Sequence, residues 1–192
     1  MVSTGAAPAP DYVEPIYGWR VWDVIELDRA LRLCSLAFWT VWLPRREAVA
    51  LCRRSLVNLA WAGLPSHTAP QARCSCGIYA TQTATQATAY LSRQFRRRAD
   101  TLHRVVGIVA LWGTVVESER GWRGSHSYPA ILYVPTARPR LRSPLANLPR
   151  PRLPAEEIAR GLADYGVPVE LVDCATAAEL AEAIELRGTP PW

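Results

Sequence analysis

Lysine is absent: all 22 basic residues of this 192-residue chain are arginine. Arginine therefore fills every position where lysine would otherwise serve. With the abundant alanine and proline, that skew points to a GC-rich genome rather than a chemical demand. A net charge of +5 thus says little about a nucleic-acid partner. Long apolar runs are missing too. The longest uncharged apolar runs, residues 33–43 and 105–116, fall short of the roughly 18–20 residues that a membrane helix needs, and are read as core. The N-terminus alternates Ala and Pro after residue 5, with neither a basic start nor an apolar centre, so a cytoplasmic protein without membrane association is expected. No Ser/His/Asp set, no HExxH helix and no phosphate-cradling glycine loop is found; residues 107–113 lack the Lys and Ser/Thr of a P-loop. Hydrophobic residues at 49% and charged residues at 20% exclude a wholly disordered, collagen-like or coiled-coil chain, and the length suits one domain.

Residues 1–12 read as a flexible leader. Residues 13–135 read as a β-rich domain, with strand signals at 17–25 and 35–42, the second stopped by Pro44. Residues 45–61 have helical character, and 63–73, with Pro65 and Pro70, must be loop. A low-complexity Thr/Gln/Ala stretch over 81–89 precedes a basic stretch over 90–103 with near-helical spacing. The strongest strand signal covers 105–117, apolar enough to be buried on both faces. Gly121 and Gly124 allow a turn, and 128–134 returns as the second strand of an antiparallel hairpin. Residues 136–154 form a Pro/Arg linker that neither helix nor central strand tolerates. Residues 155–188 then predict helix, strand and helix. This last segment carries eight carboxylates against Arg160 and Arg187, whereas 138–152 has five Arg and no acid.

The five cysteines form an odd set in an expected reducing compartment, which argues against a disulfide framework and leaves metal binding or burial. Cys52, His67, Cys74 and Cys76 are the best candidate site. Thiolate and imidazole are the ligands zinc prefers, and residues two apart in an extended segment face one side. Four such ligands close a tetrahedron, so the site would be structural, pinning the irregular 63–73 loop. Buried packing of Cys52 and an incidental Cys-Ser-Cys pair is the competing reading.

Three further features carry weaker signals. Gly77-Ile78-Tyr79, ten residues and Tyr90-Leu91-Ser92 resemble the GIY-YIG nuclease pattern, with His103 and Glu117 downstream. In such a metal-dependent nuclease tyrosine would work with general-base help and Glu117 would hold a metal. Ser92 in place of the closing glycine, and the lack of an Asn-Gly type turn, count against it. Arg93, Arg96, Arg97 and Arg98, interleaved with Phe95, could contact phosphates and stack bases, although a solvated helix face is the commoner outcome. Trp112 and Trp122 flank the hairpin and could line a pocket for an apolar or cationic ligand, with core packing as the alternative.

Several segments in order, YGWRVW at 17–22, CSCGIYA at 74–80, GIVALWGTVVE at 107–117, GWR at 121–123, YPA at 128–130 and YGVPV at 165–169, resemble a group of uncharacterised actinobacterial proteins over most of the chain. The resemblance implies a shared small domain and no known activity. Variation at the cysteine positions in that group implies an optional, structural metal, and places Gly77-Ile78-Tyr79 in a context unrelated to nucleases. The sequence thus predicts an α+β fold: a mostly antiparallel, partly barrel-like sheet followed by a helix-strand-helix segment. A noncatalytic binding or accessory module, with zinc as a possible structural cofactor, is the expected function; nucleic-acid binding, and after it a metal-dependent nuclease, are the alternatives.

Overall fold

The computed structural model describes residues 11–37, 40–52, 67–92, 100–136 and 153–187. Its spine is a long antiparallel hairpin, β6 (His103–Ser118) and β7 (Gly121–Pro135). The reversal takes two residues, Glu119 and Arg120, rather than the longer turn the two glycines suggest. Gly121 sits at φ 139° and a Cβ there would lie 2.0 Å from the Ala80 carbonyl oxygen, so only glycine fits this close approach. Strand β1 (Asp11–Leu27) covers the other edge of β6 and continues into β2 (Ala30–Ser35) and the short β3 (Val41–Trp42).

The second edge of β7 is paired by three segments in turn. β5 (Ile78–Thr81) lies opposite residues 121–124, β4 (Ala48–Val49) opposite 126–127, and β8 (Val169–Val172) runs parallel to 132–135. Trp19 of β1 meets Thr81 of β5, which closes β1, β6, β7 and β5 into a partial ring. The fold is α+β, with a mixed, mostly antiparallel sheet.

The sheet is packed on both faces, which is why 105–117 reads as continuously apolar. Alternation sends Trp22, Val24, Val105, Leu132 and Val134 to one core, where α2 (Ala155–Leu162) docks through Ile158 and Leu162. Trp19, Val21, Val106, Ile131 and Tyr133 go to the other, against α1 (Ala84–Ser92) and α3 (Ala177–Leu186). The same alternation gives Ile108 to the second core and Val109 to the first, and the register shift between them leaves Ala130 as the extra residue on β7. Across β1 and β6, buried Asp23 accepts from Arg104 at 2.7 Å and fixes the pairing.

Several expectations change. The 35–42 stretch breaks after Ser35, whose N–H donates to Thr40 O at 2.9 Å, so it spans a β2–β3 connection rather than one strand. Residues 48–49, expected in a helix, are β4, because β7's open edge offers partners; 53–61 lie outside the described residues. The low-complexity stretch folds as α1. Thr83 and Gln86 make a reciprocal capping box: Gln86 N–H donates to Thr83 Oγ1 at 3.2 Å and Thr83 N–H to Gln86 Oε1 at 3.3 Å. Most of the linker, 137–152, also lies outside the described residues, and β8 joins the same sheet as the hairpin.

Tyr165, in the 3₁₀ turn Ala163–Tyr165 after α2, ties the C-terminal segment to the N-terminal strands. Its buried hydroxyl accepts from Leu33 N–H at 2.8 Å and donates to Trp42 O at 2.6 Å. Tyr165→Phe strands both backbone groups and is expected to cost about 1–3 kcal/mol in urea unfolding. Burial pushes the phenol up from 10 to about 12. The neutral form is thus favoured in the fold, and its contribution, complete below pH 10, is lost as pH rises towards about 12. The parent's stability should therefore fall more steeply than the variant's across that window; parallel pH profiles would refute the linkage.

Candidate metal centre

The chain leaves the β7 edge just after Ala50, whose N–H donates to Ser125 O at 2.7 Å, and returns at Ile78, opposite Gly124. Those two points are adjacent on β7. All four predicted ligands lie on the intervening excursion, residues 51–77, of which 53–66 lie outside the described residues. Cys52 enters it, His67 lies within it, and Cys74 and Cys76 close it. Their ligand atoms, three Sγ and one imidazole nitrogen, all lie within 4.8 Å of one another. Cys52 Sγ is 3.8 Å from Cys74 Sγ, and His67 Nε2 is 3.3 Å from Cys76 Sγ. Sulfurs about 2.3 Å from a tetrahedral centre stand about 3.8 Å apart, so the spacing suits a bound metal ion. Cys52 is buried and the other three are partly buried. Burial, with the neighbouring Cys74 and Cys52 adding to it, pushes the Cys76 thiol up to about 11.

The Cys-Ser-Cys backbone is not a strand but a turn, begun by Cys74 N–H donating to Gln71 O at 3.0 Å. It is gripped at three successive carbonyls. Arg123, buried on β7, donates through Nη1 to Cys74 O and, at 2.7 Å, to Cys76 O. The Tyr79 hydroxyl donates to Ser75 O at 2.6 Å, and the Arg123 guanidinium lies over the Tyr79 ring, 5.8 Å from its centre. Gly77 completes the turn at φ 121°, where a Cβ would come within 2.9 Å of Arg123 Cβ and 3.0 Å of Pro70 Cβ. Sequence reasoning missed Arg123. A lone arginine inside GWR has no signature until the strand register sets it opposite Tyr79.

Tyr79 is therefore engaged with the cysteine turn. His103 and Glu117 stand at opposite ends of β6, and His103 Nε2 lies 3.0 Å from Pro135 O, so the nuclease-like set is not assembled in one place. Arg93, Arg96, Arg97 and Arg98 lie outside the described residues. Cys34 and Cys174 are buried away from the cluster. Trp112 stacks on His126, with ring centres 6.1 Å apart. Trp122 lines a large cavity of about 970 Å³, one wall of which is formed by Cys52, Cys74 and Cys76. Compared with protein-family models, curated proteins and solved structures, the chain matches none. No helix among the described residues is long and apolar enough to cross a membrane.

Replacing Arg123 by Met keeps the apolar stem but removes both charged donors from the cysteine turn. The expected loss is about 2–3 kcal/mol in urea unfolding, partly recovered by Arg123→Lys. A Met variant as stable as the parent would show that the guanidinium does not hold the turn.

Proposed function

We propose that the protein is a noncatalytic binding or accessory module in which a structural zinc ion pins residues 51–77 to the sheet. The observation that carries this reading is the convergence of three thiols and one imidazole at tetrahedral spacing. Soft thiolate ligands with imidazole favour zinc over hard cations, which take oxygen donors. Four protein ligands fill the coordination sphere and leave no position for a reacting water, as in structural rather than catalytic sites. The ion's work is to join Cys52, where the excursion leaves the sheet, to Cys74 and Cys76, where it returns. Thiolate ligation needs reduced cysteines, and none of the five forms a disulfide, which agrees with a cytoplasmic setting.

Native mass spectrometry of the purified protein is expected to show one zinc per chain, and none in a Cys74→Ser, Cys76→Ser variant. Chelation should lower Tm by about 5–10 °C, the shift produced by losing about 2–3 kcal/mol in a chain of this size. A metal-free parent with an unchanged Tm in chelator would overturn the reading.

A further inference from the structure

Beside the cysteine–histidine cluster lies the cavity of about 970 Å³, at the upper end of the size range of small-molecule sites. Its walls are mostly aromatic and apolar, with Trp19, Trp42, Tyr90 and Trp122 among them, and Glu119 and Arg120 of the β6–β7 turn also border it. Val49, Leu51 and Tyr79, which also line it, are exposed hydrophobic side chains, 49%, 70% and 47% accessible. Soluble proteins seldom leave apolar groups gathered around one opening without a ligand to cover them.

One charged group in this wall is out of balance. Arg20 projects from β1 into the lining and donates to Tyr79 O and, at 3.0 Å, to Ser35 Oγ. These bonds engage two of the five guanidinium N–H donors. The Nε–H is buried with no partner. The guanidinium lies 5.1 Å from the centre of the Trp42 ring and 5.9 Å from that of Trp22. Ser35 Oγ is already shared with Trp42 Nε1 at 2.9 Å and brings no negative charge. Among the described residues, no carboxylate forms an ion pair with Arg20. Burial draws its pKa down only to about 10, so it remains a cation at neutral pH. Arg20 is partly buried, and a cation so withdrawn from water without a counter-ion is costly; the arrangement persists most readily where a ligand supplies the missing charge.

We propose that this cavity binds a small organic anion, a carboxylate or similar acid head carried on a flat apolar body, with Arg20 pairing the head and the tryptophan walls holding the body. The inference rests on the reading of the chain as a binding module and names the chemistry of its ligand. A single monodentate acceptor would leave the guanidinium fork half used, whereas a planar carboxylate offers two oxygens to it. Cation–π contact with Trp42 fixes the plane in which the fork is presented.

Pyrenebutyrate and its uncharged primary amide are matched probes, and energy transfer from tryptophan to pyrene reports their binding. The zinc content of the same sample is recorded by native mass spectrometry. The parent is expected to bind the carboxylate about tenfold more tightly than the amide, the difference one charge-assisted pair provides. Arg20→Gln should erase that preference by weakening acid binding, and Ala50→Trp, which places an indole in the lined space, should weaken both. Equal binding of acid and amide by the parent, no binding of either, a preference retained in folded Arg20→Gln, or undiminished binding in Ala50→Trp would each overturn the proposal. Should Arg20→Gln fail to fold, the parent's preference and the Ala50→Trp result decide. Preferential acid binding by a zinc-free parent would sustain the anion site and refute the zinc reading; a zinc-loaded parent without the preference would do the reverse.

Discussion

Strand β7 has two edges, and the need to hydrogen-bond the second one organises the molecule. β6 covers the first. An uncovered row of backbone N–H and C=O groups over the second would be both costly where buried and an invitation to self-association. No single strand fills that row. β5, β4 and β8 share it, each short, each delivered from a different part of the chain. Because β4 ends where β5 begins, residues 51–77 must depart and return at almost the same point, and that geometry gathers the cysteines. Because β8 adds in parallel beyond them, the flanking helices α2 and α3 fall on opposite faces and each seals one core.

What could be read beforehand follows from this division. The β6–β7 hairpin and the helix-strand-helix segment announce themselves by local pattern, the first as a continuous apolar run followed by turn residues, the second by apolar residues at helical spacing. The cysteine–histidine set was legible from ligand chemistry alone. Strand β4 was not, because residues 48–49 are extended only by virtue of β7's open edge, a partner far away in sequence. Helix α1 had a local signal that composition masked: the Thr83–Gln86 box is a helix start, and alanines at 84 and 87 pack against α3 without needing a large apolar stripe. Arg20 and Arg123 looked like two more arginines in a chain full of them. Only three-dimensional register distinguishes them from solvated ones.

Three arginines, Arg104 and Arg123 buried and Arg20 partly so, meet the cost of leaving water in three different ways. Arg104 has a carboxylate, Asp23, at 2.7 Å, and its Nη1 donates to Tyr90 O at 3.2 Å. Arg123 spends its donors on the carbonyls of the cysteine turn, and three thiolates would stand close by when a metal is held. Arg20 has a carbonyl, a hydroxyl and two indole faces, all neutral. The contrast matters because, among the described residues, neither Arg104 nor Arg123 leaves a buried guanidinium nitrogen without a partner, whereas Arg20 Nε has none. A structural arginine would be expected to resemble Arg104; one reserved for a ligand would be expected to look as Arg20 does.

Tyr79 links the cluster to the cavity. Its hydroxyl holds Ser75, its ring receives Arg123, its carbonyl accepts from Arg20, and its exposed face contributes to the opening. Any force that fixes the Cys74–Cys76 turn therefore also fixes the acceptor that orients the Arg20 guanidinium. The path is short and wholly physical: sulfur ligands to turn, turn to Tyr79, Tyr79 carbonyl to cation. On the proposed reading, a closed metal site with no chemistry of its own would thereby acquire a role in recognition, since a guanidinium held at one fixed tilt would select a planar acid, whereas a mobile one would accept any anion that entered.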